Sequence, residues 1–182
     1  MYEEAVAVPL IVAGPGIPKG AVVKTPANII DVYPFIMETV GECDAKTVPD
    51  DVPGTSLTKL IAGADPDRVS FSEYHAMGSK KAAFMLRKGD WKLVHYVGYP
   101  PQFFNLKDDP EELNDRAEDP ACEQVHRALM DELLRICDPD SVDKAARVRQ
   151  AEMIDLNGGK KPIIERGDLG FSMPPGVKPV FN

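Results

Sequence analysis

Positive charge is what this sequence has too little of: 21 Lys and Arg stand against 29 Asp and Glu, a formal net charge of −8. Proteins that grip nucleic acid concentrate basic residues to displace counterions from phosphates, so this balance argues against a nucleic-acid partner. Cysteine is also scarce. Cys43, Cys122 and Cys137 are the only three, with no Cys-x-x-Cys or Cys/His metal spacing, which argues against both a zinc site and a disulfide framework. Cys122 and Cys137 fall on the apolar face of an expected helix, where a thiol acts as a small hydrophobe. Thiols of this kind point to the cytoplasm. No apolar run approaches the roughly 20 residues of a membrane span, and no secretory leader opens the chain, so no membrane partner is expected. Gly14, Gly16 and Gly20 do not form a phosphate-cradling G-x-G-x-x-G. Asp108, Asp109, Glu111 and Glu112 lack the Asp/Asn/Gly spacing of a calcium loop and read as turn and helix-start chemistry.

What is present is ordinary for a globular chain: 43% hydrophobic and 27% charged residues over a length of 182, enough for a domain fragment plus a subdomain. Val6 to Val12 is an almost unbroken apolar run, the pattern of a strand buried on both faces of a parallel sheet. A turn-rich loop follows, from Gly14 to Gly20. Ile30, Tyr33, Ile36, Met37 and Val40 then recur at helical steps, with Asp31 as N-cap, Pro34 in the first turn and Gly41 as the stop. Thr58 to Ala62 reads as a short helix ended by Gly63, and Asp65-Pro66-Asp67 as a boundary. Beyond it come strands at Arg68 to His75, Ala82 to Lys88, Trp91 to Val97 and around Phe103-Phe104, the middle pair joined by Gly89-Asp90. A sheet that small needs a helix across one face. Asp119, Pro120 and the stripe Cys122, Val125, Leu129, Leu133 and Ile136 supply it. Asp138-Pro139 opens a second, charged helix running to about Ile154. Lys160 to Asn182, rich in Pro and Gly, reads as an extended arm anchored by Ile163, Ile164, Leu169, Phe171 and Phe181.

The stretch from Gln102 to Ala117, Gln-Phe-Phe-Asn-Leu-Lys-Asp-Asp-Pro-Glu-Glu-Leu-Asn-Asp-Arg-Ala, resembles the segment that closes the C-terminal subdomain in the sulfatase family of the alkaline-phosphatase superfamily. The opening Tyr2-Glu3-Glu4, Val8-Pro9-Leu10-Ile11-Val12 and Gly14-Pro15-Gly16 are similar to that family's last catalytic-domain strand, although Ala7 replaces an arginine many members carry there. The choline-sulfatase and phosphonate monoester hydrolase branches are the most alike. The resemblance implies an α/β fold: residues 1–65 as the C-terminal fragment of an alkaline-phosphatase-like catalytic domain, residues 66–157 as a small four-stranded antiparallel sheet with a covering helix, and residues 158–182 as the arm.

For the parent enzyme the resemblance implies sulfuric ester hydrolysis, a formylglycine made in a Cys-x-Pro-Ser-Arg motif, and a divalent cation (calcium, magnesium or manganese). None of those parts is in this chain, since Cys43 is followed by Asp-Ala-Lys; the expectation is that they lie ahead of Met1 and that the isolated chain is inactive. A phosphonate or phosphate ester hydrolase of the same superfamily is the alternative, and a non-catalytic binding or assembly module is another. The partners implied are a small sulfate or phosphate ester for the parent, and either further copies of this chain or the missing N-terminal part. Glu73 and His75, two apart on one strand, point the same way. They read either as a substrate-binding or acid–base pair, which near the family's substrate entrance would favour a cationic substrate, or as a pair stabilising the subdomain edge. Arg87, Lys88 and Lys92 read as solvated strand-end charges, His95 as a core or edge imidazole, and His126 as a solvated side chain.

Overall fold

The computed structural model describes residues 1–41, 53–65, 67–75 and 79–166. They fall into two compact units, Met1–Cys137 and Asp138–Asn182.

The first unit is organised by strands β1 (Val69–Tyr74), β2 (Ala83–Lys88), β3 (Trp91–Tyr96) and β4 (Gln102–Asn105). They form one antiparallel meander in the order β1-β2-β3-β4. Lys88 pairs with Trp91 across the Gly89-Asp90 turn, where Gly89 takes the left-handed conformation, φ 57°, that this tight turn requires. Register places Phe71, Leu86, Leu93 and Phe103 in one cross-strand row. Leu86, Leu93 and Phe103 are fully buried, and each such side chain contributes about 1.5–3 kcal/mol by leaving water. The cover for this face is helix α4 (Glu123–Ile136), which packs on β2 and β3. Asp119 and Pro120 act as the sequence predicts, but on a 3-10 turn, Pro120–Cys122, that leads into α4: the Asp119 carboxylate accepts from the Ala121 N–H at 2.9 Å, and the α-helix itself begins at Glu123. Cys122, Leu129 and Leu133 are buried, while Ile136, the last of the stripe, stays 45% exposed.

Upstream, α1 (Glu3–Val6), α2 (Val32–Thr39) and α3 (Leu57–Ile61) are short. Pro34 sits in the first turn of α2 as expected. A 3-10 turn, Ile29–Asp31, precedes it, with Asn28 as its cap, so the helical segment begins earlier than the Asp31 start read from Pro34. Pro34 still costs no intrahelical bond, because α2 itself starts at Val32 and keeps the proline in its first turn, while the Asp31 carboxylate accepts the Asn28 N–H at 2.6 Å. The same buried carboxylate takes the Thr55 N–H at 2.8 Å and the Arg68 guanidinium at 2.6 Å, tying three segments together.

Two expectations are corrected. Val6 to Val12 is not a strand: Val6 closes α1, and residues 7–12 form no regular element. Val8 and Ile11 are 75% and 90% exposed; a strand of a parallel sheet needs hydrogen-bonded neighbours, and no described segment pairs with this one. It lines instead an open apolar groove of about 470 Å³ with Val22, Leu57 and Leu60. In the second unit, α5 (Pro139–Leu156) opens on Asp138 as predicted, but Lys160–Arg166 forms a helix, α6, where an extended arm was expected. Gly158 and Gly159, both with positive φ, end α5; the Lys-Lys-Pro that follows places Pro162 within the first turn of α6, where a proline ring costs no hydrogen bond. Leu169, Phe171 and Phe181 lie outside the described residues.

Candidate functional site

Glu73 and His75 stand at the far end of β1, on the face that α4 covers. Alternation puts them on one side of the strand, and the His75 Nε2 lies 3.4 Å from a Glu73 carboxylate oxygen. The imidazole is steadied by an edge-on contact with Phe84, ring centroids 5.5 Å apart. Glu73 is about half exposed, with a relative side-chain area of 47%. Register then adds a residue that sequence reading set apart: Glu73 pairs with Phe84, and Phe84 with His95, so both imidazoles and the carboxylate flank one buried ring. A half-exposed carboxylate beside an aromatic wall can receive a cationic group, and a carboxylate and an imidazole this close can share a proton.

The opposite face of the sheet carries the buried charge, and this was not anticipated. Lys92 has no exposed surface; its ammonium lies 3.0 Å from Glu3 and 2.7 Å from Glu112. Arg87 meets the other Glu3 oxygen at 2.8 Å. The Glu3 N–H donates to Glu112 at 2.6 Å. Tyr2 packs near Phe104 at 6.2 Å, and its hydroxyl accepts from the Gln102 amide at 3.2 Å. The Tyr96 hydroxyl donates to the same side chain at 3.1 Å. Burial, with Tyr2 and Glu112 nearby, pushes the Tyr96 phenol above its usual range. Lys92 and Arg87 are therefore not solvated strand-end charges. The chain's opening residues lie over this face, so the lysine reading as outward by alternation is covered and must be paired.

The acidic turn works as part of the same lock. Asp109 accepts from the backbone N–H groups of Leu113 and Asn114 at 3.1 and 2.8 Å, and these bonds, Asn114's foremost, hold its carboxyl below the usual range. Asp115 accepts from the Phe103 N–H at 3.0 Å, fastening the turn to β4. Glu112 is buried with a left-handed φ of 55°, the conformation that aims it at Lys92. The signal for it was the Asp-Pro-Glu-Glu motif, read as local turn chemistry. His126 also departs from expectation: its ring packs 5.0 Å from Phe103, against the sheet, because it shares the inner face of α4 with Leu129 and Leu133. Glu38 accepts from the Ser56 and Thr58 hydroxyls, which keep its carboxyl below the ordinary range and join α2 to α3. No group of three His, Cys, Asp or Glu side chains among the described residues could hold a metal ion.

An antiparallel meander under one helix, with an acidic Asp-Pro-Glu-Glu turn locking the chain's opening residues to its other face, is the C-terminal part of a sulfatase. Residues 1–138 match the family described as N-sulphoglucosamine sulphohydrolase, C-terminal, and the chain belongs to that family. Among similar proteins, arylsulfatase K of Danio rerio is 35% identical over 159 residues, a match covering 80% of this chain and 28% of that protein. Choline-sulfatase of Rhizobium meliloti is 32% identical over 153 residues, covering 82% and 30%. Of solved structures, the phosphonate monoester hydrolase of Silicibacter pomeroyi superposes with a TM-score of 0.55 at 28% identity, covering 68% of this chain and 27% of that one. The chain thus spans less than a third of the length of these relatives.

Proposed function

We propose that this chain is the C-terminal portion of a sulfatase-type hydrolase that cleaves a sulfuric ester, and that the reacting groups are supplied by sequence outside it. The observation that carries the reading is the family match over residues 1–138 together with a span of 28–30% of the curated relatives. The chain's own residues do not fit the chemistry by themselves. Its three cysteines lack the Cys-x-Pro-Ser-Arg context that gives formylglycine, and no metal-type cluster is formed among the described residues. What the chain offers is support and an edge of the substrate entrance. The exposed apolar row Ile29, Tyr33, Ile36 and Val40 on and before α2, with Val8, Leu10 and Ile11, is the surface on which the remainder of the enzyme rests. Glu73 and His75 form a substrate-binding edge that favours a cationic group beside the ester.

A second reading has a specific support: the similarity to a phosphonate monoester hydrolase at 28% identity favours a phosphonate or phosphate ester in place of the sulfate. The experiment joins this chain to the coding sequence that precedes it and assays 4-nitrophenyl sulfate, a phenylphosphonate ester and choline sulfate in parallel. Sulfate ester turnover fastest, with Glu73→Gln raising KM for choline sulfate more than for the neutral ester, supports the proposal. Faster phosphonate cleavage selects the second reading, and a preceding sequence without a formylglycine motif overturns the first.

A further inference from the structure

The sheet face that the chain's opening residues cover holds more positive charge than its carboxylates use. Register sets Ser70, Arg87 and Lys92 in one cross-strand row there. Lys92 is spent on Glu3 and Glu112. Arg87 is not: a guanidinium carries five N–H donors, and only the one on Nη1 is used, reaching the Glu3 carboxylate at 2.8 Å. That contact leaves the Nε–Nη2 edge free, the edge that can hold two oxygens of an oxyanion side by side. The Arg87 Nε is buried without a hydrogen-bond partner, a costly state that a ligand oxygen relieves.

Arg87 lines a pocket of about 200 Å³ where α1 and residues 24–27 meet β1 and β2, with Glu3, Ala7, Lys24, Ser70 and Met85 among its walls. Lys24 is the second cation there, and it forms no ion pair or hydrogen bond among the described residues. The segment that carries it is held in place. Pro26 stiffens the backbone, and the Asn28 side chain accepts from the Ser70 hydroxyl at 2.9 Å and donates to the Val69 carbonyl at 3.4 Å. Glu3 is the one acid lining the pocket among the described residues, and both its oxygens are engaged, by Arg87 and by Lys92. We propose that Lys24 and Arg87 bind a small tetrahedral oxyanion, sulfate or phosphate, in this pocket. Two cations beside one neutralised carboxylate make the pocket locally positive in a chain whose net charge is −8, so a small anion is drawn here and not to the surface at large. The pocket lies on the sheet face opposite Glu73 and His75, and the proposal holds whichever ester the parent hydrolase cleaves.

The test follows the guanidinium itself. The Arg87 Nε–H resonance of the full chain, assigned by its loss in Arg87→Lys, is followed in nitrogen–proton correlation spectra as sodium sulfate replaces sodium chloride at constant ionic strength. The expected result is a saturable shift with a dissociation constant on the order of 1 mM, and a similar one with inorganic phosphate. Lys24→Met, which has no partner to lose, is expected to weaken binding about tenfold through loss of the second charge. Lys19→Met removes an exposed lysine that does not line the pocket and leaves binding unchanged. Methyl sulfate in a parallel titration distinguishes the source of the anion: affinity within about threefold of sulfate assigns a group borne on an ester, weaker binding assigns the free dianion, and either upholds the site. A shift that grows without saturating, or one that Lys24→Met and Lys19→Met alter alike, overturns the proposal. So does an Arg87 resonance that stays still while sulfate raises the thermal midpoint, because exclusion of sulfate from the protein surface then accounts for the whole effect.

Discussion

Replacing Lys92 by methionine tests the buried lock more sharply than any other single change. Methionine is apolar and of similar length, so little packing is lost on β3; what disappears is the charge that Glu112 pairs with at 2.7 Å. The Glu112 carboxylate is 1% exposed and has no route to water, whereas Glu3 keeps Arg87 at 2.8 Å. Removing one partner of a buried pair typically costs about 3–5 kcal/mol. Against a domain stability of about 5–15 kcal/mol this is about a fifth of the total or more. Lys92→Met combined with Glu112→Leu removes both charges, and a buried pair replaced by apolar groups is often close to neutral. The double variant is therefore expected to be more stable than Lys92→Met alone. Urea denaturation followed by the fluorescence of Trp91, which stacks on Phe103 at 5.0 Å, reads both. A Lys92→Met variant within about 0.5 kcal/mol of the parent, or a double variant weaker than the single, refutes the argument, since surface ion pairs are worth only about 0–1 kcal/mol.

Gly54 and Gly89 both have positive φ, yet they should respond differently to alanine. At Gly54 an added Cβ would sit 2.6 Å from the Ile30 carbonyl oxygen, so backbone must move, while at Gly89 nothing lies within 4 Å. Gly89→Ala is expected to cost about 1 kcal/mol from backbone conformation alone and Gly54→Ala clearly more; equal shifts in thermal midpoint would show that the close approach to Ile30 is relaxed in solution. Asp109→Asn should be most destabilising near neutral pH. Its folded-state carboxyl is held below the ordinary value, so its contribution is present above the unfolded value of about 3.9 and is lost as pH falls through the folded one. Thermal melts of parent and variant should converge in acid, and a gap constant from neutral pH to pH 2 would contradict the assigned role.

The sheet was legible in the sequence because each strand carries a local signature. Alternation marks Val69–Tyr74, the Gly-Asp pair fixes the central hairpin, and Asp-Pro at residues 119 and 120 announces α4. The Glu73–His75 pair followed from the same period of two. What could not be read locally was what covers the second sheet face. Lys92 lies between Trp91 and Leu93 on a strand whose lysine side reads as outward, and only a contact between residues 3 and 92 reverses that. The partnership of Glu3 with Lys92 and Glu112 spans most of the first unit, a separation no local pattern encodes. The run from Val6 to Val12 misled for a related reason: an apolar run fixes that a segment seeks burial, not which surface provides it.

The central claim, that the reacting groups of the hydrolase lie outside this chain, is tested most directly by initial-rate measurement. The purified chain is incubated with 4-nitrophenyl sulfate and 4-nitrophenyl phosphate in the presence of calcium, magnesium or manganese. The account predicts no release of nitrophenol above a matched blank with any metal. Turnover that rises in proportion to the chain and coelutes with it on gel filtration would contradict it.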